Sequence, residues 1–308
     1  MSQLRQAAED YLGMRRALGF KLETQGQLLI GFIGYLERER ASTVTTELSL
    51  AWARQPAHAD PVWWNRKLSV VRGFARHLAT LDPATEVPPT DLLPCHQRRP
   101  TPYLYAPTDI ARLMQAAGTP ASPLQAATYS TLIGLLAVTG LRISEAIRLD
   151  QGDVDSSSGL LRIIASKFDK SREVALHPSS LQALDTYARQ RDQHYPQAAA
   201  GAFFVSTVGT RLLAANVRRT FARLVHLTGI TPRSGRCRPT IHGMRHSFAV
   251  NTLIDWYRDD VDVHVRLPLL STFLGHVDPG STYWYLQAAP ELLALAAQRL
   301  EHSLGELP

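Results

Sequence analysis

Seven prolines fall between residues 82 and 107: Pro83, Pro88, Pro89, Pro94, Pro100, Pro102 and Pro107. Each fixes its own φ, removes a backbone donor and pushes the preceding residue out of the helical region. No helix or central strand can run through such a segment, so the 308-residue chain is divided into two stretches of ordinary domain size. We read residues 1–95 as a helical domain, 96–107 as a linker and 108–308 as a second domain. Arg98 and Arg99 make the connector basic, able to cross a phosphate backbone.

The first stretch reads as helices over Leu4–Gly19, Gln25–Arg40, Leu48–Arg54 and Pro61–Leu78. In the second of these, Leu28, Leu29, Phe32, Ile33 and Leu36 recur at helical spacing. In the fourth, Leu68, Val71, Phe74, Ala75 and Leu78 make one face. Asn65, Ser69, Arg72 and Arg76 make the other, spaced to lie along a DNA duplex, although a merely solvated face has the same pattern. Trp63 and Trp64 fit a core better than a base-stacking role.

In the second stretch Thr108-Asp109 looks like a helix N-cap. Ser122-Pro123 opens a helix that Gly140 ends, and a short helix then carries Arg142, Glu145 and Arg148. Two β-rich runs, Leu160–Ser166 and Arg172–His177, enclose a polar tip and predict an antiparallel hairpin. Helices follow near 179–195, 214–228, 243–257 and 267–274, then an amphipathic one with Leu292, Ala296, Leu300 and Leu304. The whole reads as mainly α, with a small antiparallel sheet in the second domain.

The net charge of +6 and the pI near 9.5 favour a polyanionic partner without requiring one. Cys95 and Cys237 have no CxxC spacing, so neither a disulfide framework nor a zinc motif is expected, and a reducing cytoplasm fits. Charges interrupt the N-terminus where a signal core would lie. The apolar run Leu132–Leu141 is far short of the roughly 20 residues a membrane span needs. No membrane partner is expected.

Six polar residues recur in an order that suits one reaction: Arg142, Lys167, His242, Arg245, His276 and Tyr285. Displacement at a phosphodiester moves charge onto the non-bridging oxygens and the leaving oxygen. Arginine holds the first by a planar fork that stays charged. Lysine, its pKa lowered by neighbouring arginines, can protonate the second. His242 and Arg245 sit within one helical turn and can share a focus. Tyrosine becomes a nucleophile when cations lower its pKa and a histidine takes its proton, for which His242 and His276 are candidates. A phosphate left on the tyrosine stores the broken bond, so neither metal, ATP nor another cofactor is expected. His242 and His246 are four apart, as zinc ligands can be, but no glutamate completes an HExxH pattern. His246 reads instead as a buried or supporting residue.

These stretches resemble the tyrosine recombinase (phage integrase) family. The resemblance rests on Thr139-Gly140-Leu141-Arg142-Ile143-Ser144-Glu145, the Lys167 hairpin ending Arg172 to Pro178, His242-Gly243-Met244-Arg245-His246, and Leu274-Gly275-His276 through Tyr285. It implies an N-terminal helical core-binding domain and a mainly helical α+β catalytic domain clamping a duplex. It also implies that Arg142 and Arg245 hold the scissile phosphate and Lys167 protonates the 5′ oxygen. His242 would then assist at the tyrosine, His276 bond the phosphate, Tyr285 form a 3′-phosphotyrosine and Glu145 support the site. Lys170 and Tyr283 remain alternatives to Lys167 and Tyr285. The long interval from Arg245 to His276, with Trp256 to His264 inside it, and the paired Tyr283 and Tyr285 are similar to the transposon-borne branch.

Arg219 and Arg223, with Asn216 and Arg218, are candidate phosphate contacts or a solvated face, as are Arg233, Arg236 and Arg238 in a loop. In the family the C-terminal helix often docks in a neighbouring protomer, which implies a homo-tetramer on double-stranded DNA, with a partner recombinase as an option. The expected function is site-specific strand exchange in integration or transposition. Type IB topoisomerase-like relaxation and non-cutting DNA binding are the alternatives. All six polar positions being filled argues against the last.

Overall fold

The structure, a computed structural model, describes residues 2–93, 101–119, 122–164, 171–195, 201–287 and 289–305. The chain divides into two compact units, residues 1–99 and 100–308. Both are mainly helical, and the second holds one small sheet.

Unit 1 consists of α1 (Gln3–Ala17), α2 (Glu23–Arg38), α3 (Thr46–Ala53) and α4 (Pro61–Leu78). Ser2, Thr45 and Asp60 each accept an orphan backbone N–H at the start of α1, α3 and α4, and Pro61 occupies the first position of α4, where no donor is missed. Leu29, Phe32, Ile33, Leu68, Val71 and Phe74 are fully buried between the helices.

Two cations of α4 turn inward, against the simple amphipathic reading. Lys67 caps the end of α3, donating to Trp52 O at 2.7 Å and Gln55 O at 2.8 Å. Arg72, expected on the DNA-facing stripe, is only 7% exposed. Its Nε donates to Pro88 O and its Nη2 to Pro89 O, both at 2.7 Å. The physical reason lies in the proline run: residues 82–93 lie on unit 1, with Glu86 N bonded to Val44 O and Leu93 buried, and their carbonyls need donors. Asn65 is half-buried, whereas Ser69 and Arg76 stay exposed. Trp64 is half-buried against the core, its Nε1 on Pro56 O.

Unit 2 opens with extended chain that buries Tyr103 and Tyr105. Tyr105 N donates to Ser247 Oγ at 2.7 Å, and its hydroxyl to Thr240 O. The helix predicted to cap at Thr108-Asp109 caps at Ala106 instead and starts sooner, as α5 (Pro107–Ala117), because Asp109 reaches back to accept from Ala106 N. Next come α6 (Pro123–Thr139), α7 (Ile143–Ala146) and a three-stranded antiparallel sheet of β1 (Val154–Asp155), β2 (Leu160–Ile163) and β3 (Arg172–Ala175). The register pairs Leu161 with Val174 and Ile163 with Arg172. The two-residue β1 is too short to show in a hydrophobic pattern. The hairpin's polar tip, with Lys167 and Lys170, lies outside the described residues.

The rest is helical: α8 (Pro178–His194), α9 (Ala214–Leu227), α10 (Ile241–Arg258), α11 (Val263–Leu274), α12 (Gly280–Tyr283), a 3-10 turn Trp284–Gln287 and α13 (Pro290–Gly305). α11 starts four residues before the predicted Leu267, because Asp262 caps it by accepting from His264 N and Val265 N. Within the chain α13 packs through its first turns. Leu292 is buried in the same cluster as Leu253 of α10, Arg258 pairs with Glu291, and Arg299 pairs with Asp260. Leu293 and Leu300 remain exposed.

Arg72→Ala strands two carbonyls and removes two charge-assisted bonds, so unit 1 should lose about 2–4 kcal/mol in denaturant unfolding. Arg76→Ala, at an exposed position of the same helix, should change stability by under about 0.5 kcal/mol. Equal effects would refute the inward role of Arg72.

Candidate active site

Two helices end on glycines in the left-handed conformation, Gly140 after α6 (φ 60°) and Gly275 after α11 (φ 66°). Neither site has room for a side chain. A Cβ at Gly140 would lie 2.6 Å from Phe248, and one at Gly275 would lie 2.7 Å from Arg172 Nη1. These turns leave carbonyls pointing off the helix ends, the electronegative pole of each helix. Three guanidiniums take them up. Arg245 donates to Gly140 O at 2.8 Å and Leu274 O at 2.7 Å. Arg142 donates to Gly275 O at 3.0 Å, and Arg172 to Phe273 O at 2.7 Å.

The buried Glu145 joins them. Its oxygens accept from Arg142 Nη1 (2.7 Å) and N (2.9 Å), and from Arg172 Nη1 (3.2 Å) and Nη2 (3.0 Å). Burial pushes the Glu145 pKa up, but the Arg172 hydrogen bonds and charge, with those of Arg142, outweigh it and hold the carboxyl below its usual range. Burial, then repulsion from Arg142, brings Arg245 down to about 10, so it stays charged at neutral pH. One carboxylate among three arginines leaves a desolvated excess of positive charge, which is what an anion site needs.

Beside this cluster lie three histidines and a tyrosine. Thr240 caps α10, placing His242 in its first turn, solvent-accessible, with His246 one turn on. The His242 and His246 rings meet edge-on at 4.7 Å. The His246 ring lies 5.3 Å from Trp284 and 5.5 Å from Tyr285. His246 Nδ1 is buried with no hydrogen-bond partner among the described residues. His276 follows Gly275, shares a 2.6 Å hydrogen bond with the fully buried Thr282, and stacks on Tyr285 at 6.0 Å. Desolvation, then neighbouring histidine and arginine charge, pulls His246 down to about 3. Desolvation, then Arg245 and Arg142, pulls His276 to about 4 and lowers His242. All three rings are neutral at pH 7 and can accept a proton.

Five of the six polar residues thus gather in unit 2: Arg142, His242, Arg245, His276 and Tyr285. Lys167 is outside the described residues. Tyr285 is 2% exposed and faces two histidines, whereas Tyr283 is 48% exposed. Sequence reasoning assigned nothing to Arg172, Thr282 or the two glycine carbonyl ends. The one signal for Arg172 was an arginine opening the strand after the polar tip. On α9, Asn216, Arg218, Arg219 and Arg223 are exposed, with Arg219 donating to Asn216. In the loop before α10, Arg233 stacks over Tyr103 at 5.1 Å and donates to Leu104 O, while Arg236 and Arg238 are exposed.

Residues 105–291 match the phage integrase family. A putative integrase/recombinase of Sinorhizobium fredii, y4rB, is 44% identical over 98% of both chains. Two solved structures share the fold. The Tn1549 transposon integrase in complex with transposon right end DNA has TM-score 0.68 and 16% identity, covering 96% of this chain and 98% of that one. The XerH site-specific recombinase bound to a palindromic difH substrate also has TM-score 0.68, with 17% identity over 91% and 80%. The chain belongs to the phage integrase family, the tyrosine recombinases, enzymes that break and rejoin DNA strands. Among the described residues no helix is long and apolar enough to cross a membrane.

The histidine shifts set a pH dependence. Below the ordinary histidine pKa of 6.5 the unfolded chain takes up protons that folded His246 and His276 refuse until about pH 3 and 4. Stability is therefore full above pH 6.5 and falls as pH drops, by up to about 1.4 kcal/mol per pH unit per group. His246→Phe should flatten the fall between pH 6.5 and 4.5 in chemical denaturation. An unchanged slope would remove His246 from this account.

Proposed function

We propose that the chain is a site-specific recombinase of the transposon-borne kind, with Tyr285 as its nucleophile. The observation that carries this is the placement of Tyr285 beside the arginine cluster, with His276 stacked on it and His246 edge-on to it, both neutral. Arg142 and Arg245 hold the non-bridging oxygens of the scissile phosphate, joined by His276. Tyr285 Oη bonds to phosphorus while the bond from phosphorus to the 5′ oxygen breaks. The phenolic proton passes to His242, and Lys167 protonates the leaving 5′ oxygen. Attack by a 5′ hydroxyl on the phosphotyrosine reverses the step, with no external energy source.

Unit 1 contacts the duplex through Ser69, Arg76 and Asn65. Unit 2 contacts it through the exposed face of α9, where Arg219 and Arg223 reach phosphates. Arg72 has no part in this, being spent on Pro88 and Pro89. Assembly follows as several protomers on DNA, a tetramer pairing two duplexes, with room for a partner recombinase. Its DNA substrate places the work in the cytoplasm. Support comes from the relative y4rB and from the DNA-bound recombinases that share this fold. No observation favours relaxation of supercoils or binding without cutting.

The test uses a nicked suicide duplex from the ends of the element encoding the chain, without metal, read on a denaturing gel. Wild type and Tyr283→Phe should form a covalent protein–DNA adduct, and Tyr285→Phe should bind without forming one. An adduct from Tyr285→Phe would unseat this nucleophile. In a salt titration of non-covalent binding, Arg219→Ala and Arg223→Ala should each lower the log–log slope by about 0.9, one phosphate's worth. Slopes equal to wild type would mark α9 as a solvated face.

A further inference from the structure

Arg172 has no part in the chemistry above, yet the anchors of that chemistry converge on it. It opens β3 with its side chain 10% exposed. Its two terminal nitrogens grip Glu145, and its Nε holds Phe273 O at the end of α11. Arg142 has two guanidinium anchors, Glu145 Oε1 and Gly275 O. Arg172 holds the first directly. It holds the second through the end of α11, where its guanidinium fills the space a Cβ on Gly275 would occupy. The same helix end leads into His276, whose Nδ1 is tied to Thr282.

We propose that Arg172 is a positioning residue for the scissile phosphate, fixing both anchors of Arg142 and the helix end that carries His276. The proposal rests on the reading that Arg142 binds the phosphate. Without Arg172 the Glu145 carboxylate loses its bidentate partner, and Arg142 can follow it out of line. Misplacement by about 1 Å in such a site can reduce the rate by about 100-fold without altering binding. A purely structural ion pair would instead change stability alone.

The full chain and the suicide duplex test this, with a normal scissile phosphate or a methylphosphonate that lacks one charged oxygen. Arg172→Gln, Arg172→Lys and Arg142→Ala are compared with wild type by thermal melting, non-covalent Kd and cleavage rate. Arg172→Lys keeps the charge but not the planar fork, so it stands if Arg172→Gln does not fold. The expected result is Kd within about twofold of wild type and phosphate cleavage down by about 100-fold. With methylphosphonate the loss relative to wild type should shrink below about tenfold, in parallel with Arg142→Ala, since the charge that Arg142 serves is gone. A charge-dependent loss for Arg142→Ala without one for the Arg172 variants overturns the proposal alone. Equal losses for Arg142→Ala on both substrates overturn the reading beneath it, and the proposal with it.

Discussion

Three guanidiniums in one desolvated place repel one another, and the catalytic unit is arranged around that fact. Each alone would incur a desolvation cost of several kcal/mol. Glu145 offsets part of it by accepting from Arg142 and Arg172 at once. The ends of α6 and α11 offset more, since their carbonyls are unsatisfied until Arg245, Arg142 and Arg172 reach them. Both ends need a left-handed residue with no side chain, which is why Gly140 and Gly275 stand where they do. The site is therefore built by helix termination as much as by the charged residues themselves. Its uncancelled charge is what remains for a phosphodiester.

The same charge sets the state of the histidines. Next to Arg142 and Arg245, a second positive charge on His242, His246 or His276 is disfavoured, most where His246 and His276 are turned from water. Neutral imidazole is the form that can take a phenolic proton, so in the proposed reaction one cluster of arginines would both bind the phosphate and keep the base unprotonated. Thr282 contributes by orientation, binding His276 Nδ1 and thereby linking the loop after α11 to the turn that presents Tyr285.

Much of this is legible in the sequence, for identifiable reasons. Helices with strong periodicity, such as α2 and α4, or with capping residues, such as α4 and α6, announce themselves, as does Gly140 as a stop. The polar six stand out because their types suit one reaction. What is illegible depends on tertiary partners. Arg172 lies far in sequence from both Glu145 and Phe273, so no local pattern points to its role. The two-residue β1 exists only as a pairing with β2. The inward turn of Arg72 depends on carbonyls freed by a proline run that looked like a connector and is partly laid on unit 1 instead.

Burial sorts the basic residues into two populations, and this changes what a net charge of +6 means. Lys67, Arg72 and Arg191 each spend their donors on backbone carbonyls, Arg191 on Phe203 O at 3.0 Å. Such cations hold loops and helix ends in place and are not available to release counterions from a duplex. Arg76, Arg218, Arg219, Arg223, Arg236 and Arg238 are exposed, and in the proposed function they are free to contribute to steering and salt-dependent affinity. An electrostatic argument from composition counts both groups alike. The surface that can meet DNA is narrower than the isoelectric point suggests, and on α4 it narrows to the side bearing Ser69 and Arg76.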